Sequence, residues 1–176
     1  MATSTIERTK QERLLYERLV VFQDDLRQAA FYAGHLLKKN WHFDPWDSKI
    51  RWTTYMQQAA FTTALVTAYG RPFAGANGFP TMSMKLAPYD SHQLVLHHKL
   101  RNLRNNVYAH SDVALHRVRP VAINGRAMAV VHQPSLRLTK AEVETVLEMT
   151  RLAIQAIDAK LQNFITRVQS IVDPSV

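Results

Sequence analysis

The chain contains no cysteine, which excludes disulfides and every cysteine-ligated metal centre. Its five glycines build no glycine-rich phosphate loop, and no serine-centred triad is readable. No uncharged apolar run approaches the roughly 18 residues that a membrane-spanning helix needs. The opening MATSTIERTKQERLLYERL is polar and charged, and it lacks the apolar stretch of a secretory signal. These absences lead us to expect a cytoplasmic protein that is not held in a membrane.

Acidic residues are scarce in one part of the chain. The formal net charge is +8. Between Ser91 and Lys140 stand Lys99, Arg101, Arg104, Arg117, Arg119, Arg126, Arg137 and Lys140, against a single acid, Asp112. That stretch carries nearly all of the net charge, while its flanks almost balance. A localised basic field attracts polyanions such as nucleic acid. A basic face on a helix with a wide, open apolar side would suit a membrane surface instead, but no helix here combines the two.

What is present is apolar periodicity. The length of 176 residues suits one domain, and hydrophobic residues make up 47% of them, ordinary globular usage. Leu15, Leu19, Phe22, Leu26, Ala29, Ala33 and Leu36 recur at steps of four and three. This spacing predicts a first helix from about Ile6 to Lys39, ended by Asn40. Asp47 or Ser48 is placed to cap a second, running to about Tyr69 and stopped by Gly70-Arg71-Pro72. Trp41, Trp46 and Trp52 are expected to anchor the core and the loops. A long loop follows, with a short helical turn near Met82 to Leu86. A third helix is predicted from His92 to about Ala109. A fourth, opened by the capping box Thr139-Lys140-Ala141-Glu142, runs to about Val172.

Between the third and fourth helices, Asn124-Gly125 separates two β-rich runs. This is the strongest short hairpin signal, because both residues tolerate positive φ. Pro120 makes the hairpin an edge feature. The expected architecture is a single mainly α domain over residues 1–176. It is a four- to five-helix bundle with a small β-hairpin insertion at about 115–132.

The chemistry-bearing segment is His97-His98-Lys99-Leu100-Arg101-Asn102-Leu103-Arg104-Asn105-Asn106-Val107-Tyr108-Ala109-His110-Ser111-Asp112. On a helix, His97, Arg101, Arg104, Asn105 and Tyr108 share one face, and Leu96, Leu100, Leu103 and Val107 share another. No acid in that helix is available to pair with its arginines. His110 follows Arg104 by six residues, which in an ideal helix sets the two side chains about 120° apart. They converge if the helix ends or tightens near Ala109, or if the sites of two protomers face each other.

Arg104, the polar Asn105, four more residues and then His110 resemble the R-x(4–6)-H signature of the HEPN superfamily. The string L-R-N-N-V-Y-A-H-S-D is similar to its abortive-infection, AbiU-like branch. The resemblance covers roughly Leu94 to Asp112. It implies a helical bundle with the motif at the end of the third helix, and metal-independent endoribonuclease activity without a cofactor. It further implies a toxin–antitoxin or antiviral defence role, and a homodimer that pairs two motifs across a basic cleft. In that reading Arg104, Asn105 and His110 are catalytic. Histidine titrates near neutrality and moves protons, whereas arginine keeps its charge and fits phosphate. Asn105 either orients His110 or binds a phosphate oxygen. Lys99 and Arg101 hold flanking phosphates, and Tyr108 stacks on a base or packs in the interface. Arg117 and Arg119, with Arg126, form an RNA-binding arm or merely guard a strand edge.

Other readings stand beside this one. The same residues suit a catalytically silent module of that superfamily that binds RNA, nucleotide or a partner protein. An antitoxin partner that modifies a tyrosine two residues after the histidine would need one where Asp112 stands. His92, His97, His98 and His116 have no metal-ligand spacing, so no metal is expected.

Overall fold

The computed structural model describes residues 2–44, 47, 49–74, 81–108, 117–132 and 137–172; of these, 2–11, 107–108, 117–119, 121, 123, 128–132 and 167–172 are described in backbone only. Four long helices form a bundle: α1 Ala2–Lys38, α2 Trp52–Gly70, α3 Ser91–Asn102 and α4 Lys140–Val172. Single 3₁₀ turns lie at Arg71–Phe73 and Met84–Leu86, and a π-helical turn at Leu103–Tyr108 prolongs α3. The chain is mainly α, as its periodicity predicts. None of the described helices is long and apolar enough to cross a membrane.

The apolar stripe of α1 becomes the middle of the core. Leu19, Phe22, Leu26, Ala29, Ala33 and Leu36 are buried, although Leu15 at the stripe's start is exposed. They join Leu65, Val66 and Tyr69 of α2, Leu96 and Leu100 of α3, and Val143, Val146, Met149, Ala153 and Ile157 of α4 in one cluster. Each fully buried large aliphatic side chain stabilises the fold by about 1.5–3 kcal/mol. Helix α1 packs against both α2 and α4, and α3 packs against the same two partners.

The helix ends follow their sequence signals. Asn40 takes φ 52°, Asn40 N donates to Leu37 O at 3.0 Å and Trp41 N to Leu36 O at 2.9 Å. This Schellman arrangement satisfies the last carbonyls of α1. Asp90 and Gln93 cap α3 reciprocally, at 2.8 and 3.1 Å. Thr139 and Glu142 do the same for α4, at 3.2 and 2.9 Å. The start of α2 differs from expectation. Its N-cap is Arg51, without a side-chain bond. Asp47 instead accepts from Lys49 N at 2.9 Å, forming a local turn of the kind aspartate favours over helix initiation. Ser48 and Trp46 lie outside the described residues, and Trp52 is exposed at the head of α2.

The loop after α1 is clamped from below. Gln58 is fully buried; its Nε2 donates to Phe43 O at 3.0 Å, and its Oε1 accepts from Phe43 N at 2.7 Å. Trp41, as expected, is an anchor, edge-on to Phe61 and to His35, which themselves stack at 4.2 Å. The hairpin also forms as read. Strands β1 Arg117–Ile123 and β2 Arg126–His132 pair antiparallel, with Ile123 opposite Arg126 and Pro120 opposite Ala129. Asn124 and Gly125 turn the chain at φ 51° and 74°. No third strand joins them among the described residues, so both strands are edges and Pro120 interrupts no further ladder.

Gln58→Leu keeps the volume and removes both bonds to Phe43. Orphaning that N–H and C=O is expected to lower the unfolding free energy by about 2–4 kcal/mol. It should appear as a lower urea midpoint at unchanged m-value. An unchanged midpoint would show that the clamp contributes nothing.

Candidate active site

The site grows from the way α3 meets the end of α2. From Ser91 to Tyr108 the sequence offers no acidic residue, yet the polar row along this helix is not uniformly exposed. His97, at its start, is wholly buried. The sequence assigns His97 to the same face as Arg101 and Arg104; the structure turns that face towards α2, so the row begins inside the core and surfaces only at its far end. Tyr69 Oη and His97 Nδ1 share a hydrogen bond of 2.8 Å. Phe73 lies edge-on to the imidazole at 4.6 Å, and Tyr89 flanks it at 6.0 Å. Burial, reinforced by the positive charge of Arg101 and by His98, lowers the His97 pKa to about 4. Burial likewise pushes the Tyr89 hydroxyl up to about 12 and that of Tyr69 upward. This end of α3 is therefore pinned by neutral groups in a dry environment.

Seven residues beyond His97, two turns along the same face, Arg104 is half-buried. Its stem rests on Gly70, the last residue of α2. A Cβ built on Gly70 would lie 2.9 Å from Arg104 Cγ, 3.3 Å from its Cβ and 3.4 Å from its Cδ. Beyond the stem, Arg104 Nη1 donates to Asn105 Oδ1 at 3.0 Å. Asn105 thus holds the neighbouring guanidinium, whereas the sequence suggests a role towards His110 or a phosphate. No carboxylate pairs with Arg104 or Arg101 among the described ion pairs. Arg101 is half-buried beside Tyr69 and His97.

Lys99 has a different occupation. Its ammonium is bonded to Glu142, the carboxylate that closes the cap of α4. Against burial, which raises it, the Lys99 ammonium and the cap at Thr139 together draw the Glu142 pKa down. Lys99 therefore ties α3 to α4, and a phosphate would have to compete with Glu142 for it.

From Leu103 to Tyr108 the helix widens to π geometry. The sequence reading required tightening or termination near Ala109 for Arg104 and His110 to converge within one subunit; up to Tyr108 the chain does neither. The segment Leu103-Arg104-Asn105-Asn106-Val107-Tyr108 holds two asparagines and a β-branched valine, all poor at keeping α-helical register. Insertions of π geometry recur at functional sites. His110 lies outside the described residues. Tyr108 belongs to the π turn and Arg117 and Arg119 to β1 by backbone, but their side chains are not described.

The structure thus brings together Arg101, Arg104 and Asn105, and leaves Lys99 on a separate contact. Two residues of the arrangement, Tyr69 and Gly70, were read from the sequence only as the end of a helix. Among the described residues, no three histidine, aspartate or glutamate side chains converge as a metal site would require.

His97 generates a pH dependence with a definite sign. Its folded pKa, about 4, lies below the ordinary value near 6.5, so between those limits the unfolded chain binds more protons. Its contribution is complete above about pH 6.5 and is lost as the pH falls towards 4. His97→Asn supplies a polar atom in place of Nδ1 but does not titrate. Its unfolding free energy should fall less steeply than that of the unmodified protein between pH 6.5 and 4, measured by urea melts. Parallel slopes would remove His97 as the cause.

No protein-family model, curated protein or solved structure matches the chain, so the reading of this site rests on its own residues and geometry.

Proposed function

We propose that the protein is a HEPN-type endoribonuclease that cleaves RNA by attack of a 2′-hydroxyl on its own adjacent phosphate. The observation that carries this reading is Arg104: a half-buried arginine with no carboxylate partner among the described residues, its stem seated on Gly70 and its guanidinium held by Asn105, six residues before His110 in the sequence. A cation fixed in this way is suited to a phosphate oxygen, to which arginine presents a planar fork of donors.

The chemistry asks little else of the protein. The 2′-oxygen forms a bond to phosphorus, and the bond from phosphorus to the 5′-oxygen breaks. One proton leaves the 2′-hydroxyl and one must reach the departing 5′-oxygen. His110 performs a proton transfer at near-neutral pH. Arg104 stabilises the charge that builds on the phosphorane, and Asn105 orients it. Arg101 binds a flanking phosphate, with Tyr108 and the hairpin residues Arg117 and Arg119 as further RNA contacts. The products are a 2′,3′-cyclic phosphate and a 5′-hydroxyl, and DNA, without the 2′-hydroxyl, is bound but not cut. A second copy of the chain supplies the second histidine and arginine. In the cell this activity suits a toxin or an antiphage effector, restrained by an antitoxin protein.

A second reading has its own support. Lys99 is engaged with Glu142, and α3 widens where convergence with His110 asks it to tighten. Both fit a silent HEPN module that binds RNA, nucleotide or a protein without cutting.

Incubation with total RNA in EDTA separates the two. Nuclease function predicts cleavage by the unmodified protein, reduced on the order of 100- to 10,000-fold by His110→Ala and on the order of 100- to 1,000-fold by Arg104→Ala. RNA binding by His110→Ala should persist, with an affinity that falls as salt rises. Absence of cleavage by the unmodified protein, or undiminished cleavage by His110→Ala, rejects the nuclease reading.

A further inference from the structure

We infer that Gly70 is a positioning residue of the candidate site: by carrying no side chain, it lets the stem of Arg104 lie on the end of α2 and so fixes where the guanidinium stands. The functional part of this inference rests on the proposal that Arg104 acts on RNA phosphate; the steric part does not.

Conformational freedom is not what the glycine supplies. Gly70 has φ −77° and ψ −20°, helical values that any residue adopts. Nor does it stop the helix by itself, since the backbone runs straight on into the 3₁₀ turn Arg71–Phe73, which contains Pro72. Glycine at such a position sacrifices helix stability, and alanine would restore it. What alanine cannot do is fit. Its Cβ would stand 2.9 Å from Arg104 Cγ, well inside van der Waals contact.

The clash cannot be relieved at the flexible end of the arginine. The three atoms met are Cβ, Cγ and Cδ, the root and middle of the side chain. Rotating the guanidinium alone leaves them where they are. Swinging α2 aside is resisted one residue earlier, where the buried Tyr69 hydroxyl is bonded to His97 of the same helix that carries Arg104. Adjacent residues of α2 thus hold α3 at two points two turns apart. Tyr69 sets its height and Gly70 leaves the arginine room. The π turn begins at Leu103, beside this seat.

A double-mutant cycle tests the seat without reference to activity. Gly70→Ala is expected to lower Tm by on the order of 4 °C in the otherwise unmodified chain. In the Arg104→Ala background, where Cγ and Cδ are gone, it should leave Tm unchanged or raise it, as helix propensity favours. Gly34→Ala, whose Cβ meets nothing within 4 Å, should shift Tm alike in both backgrounds. Equal Tm changes for Gly70→Ala in both backgrounds would overturn the seat. The catalytic consequence is read on the same variants. With RNA cleaved by the unmodified protein, folded Gly70→Ala should lose on the order of 100-fold in kcat, the scale of a misplacement near 1 Å, with KM little changed. Unaltered kcat and KM would overturn the positioning role. If the unmodified protein cleaves no RNA, the nuclease reading fails on its own and the thermal cycle still decides the seat.

Discussion

The arrangement depends on how the end of α2 grips α3. Two consecutive residues, Tyr69 and Gly70, make opposite kinds of contact: a buried hydrogen bond to His97 and a surface left bare for Arg104. The first is strong because it is dry. A hydrogen bond away from water is not weakened by competition, and breaking it would strand a polar group at a penalty of about 1–3 kcal/mol. His97 also bears the expense of having no bonded partner at Nε2 among the described residues. A core that keeps such a histidine gives up stability that leucine would supply. In exchange, rotation of α3 against α2 moves that bond out of range, so the polar row is held in one register. Two turns on, the same register brings Arg104 over the glycine.

Electrostatics then sort the basic residues by role. Arg71, at the end of α2, is paired with Asp25 of α1 at 3.0 Å. Lys99 joins α3 to the cap of α4, and Arg137 meets Asp44 at 2.9 Å. Where such pairs stand at the surface, as Arg137 and Asp44 do, they are worth about 0–1 kcal/mol each and serve alignment more than stability. Against them, Arg101 and Arg104 stand on a helix with no acid of its own. The positive charge is therefore not a uniform skin. Part of it is neutralised between helices, and part is left where α3 leaves the core.

Much of this was legible in the sequence, for reasons that differ by element. The end of α1 and the starts of α3 and α4 could be read because Asn40, at positive φ, returns backbone amides to the last carbonyls, and each capping side chain lies beside the backbone donor it satisfies; no distant information is needed. Asn124-Gly125 was legible for the same reason. Asp47 misled because aspartate closes a local turn as readily as it opens a helix, and only the neighbouring backbone decides. His97 misled because helical periodicity says which residues share a face but not what that face meets. The π turn at Leu103–Tyr108 was invisible, since it shifts register without altering composition. Gly70 was hidden behind Pro72: a glycine before proline reads as a helix stop, and the reason for it lies 34 positions away in the contact with Arg104.

That contact also bears on why an arginine should bury its stem without a carboxylate partner among the described residues. Taking a charge from water carries a penalty, which proteins offset by pairing it or by leaving it reachable for a ligand. Arginine cannot escape by losing its proton. Here the only bond described for Arg104 is to the neutral carbonyl of Asn105, which supplies direction but no countercharge. Arg71 shows what the fold does with an arginine whose task is structural: it places an aspartate beside it. At Arg104 the fold uses a glycine to make room and an asparagine to aim the group, and no acid among the described residues stands beside it. Such a group has more to gain from an incoming anion than a fully hydrated lysine would. It is already aligned by Asn105 and by its seated stem, so little ordering is left to do when a phosphate arrives.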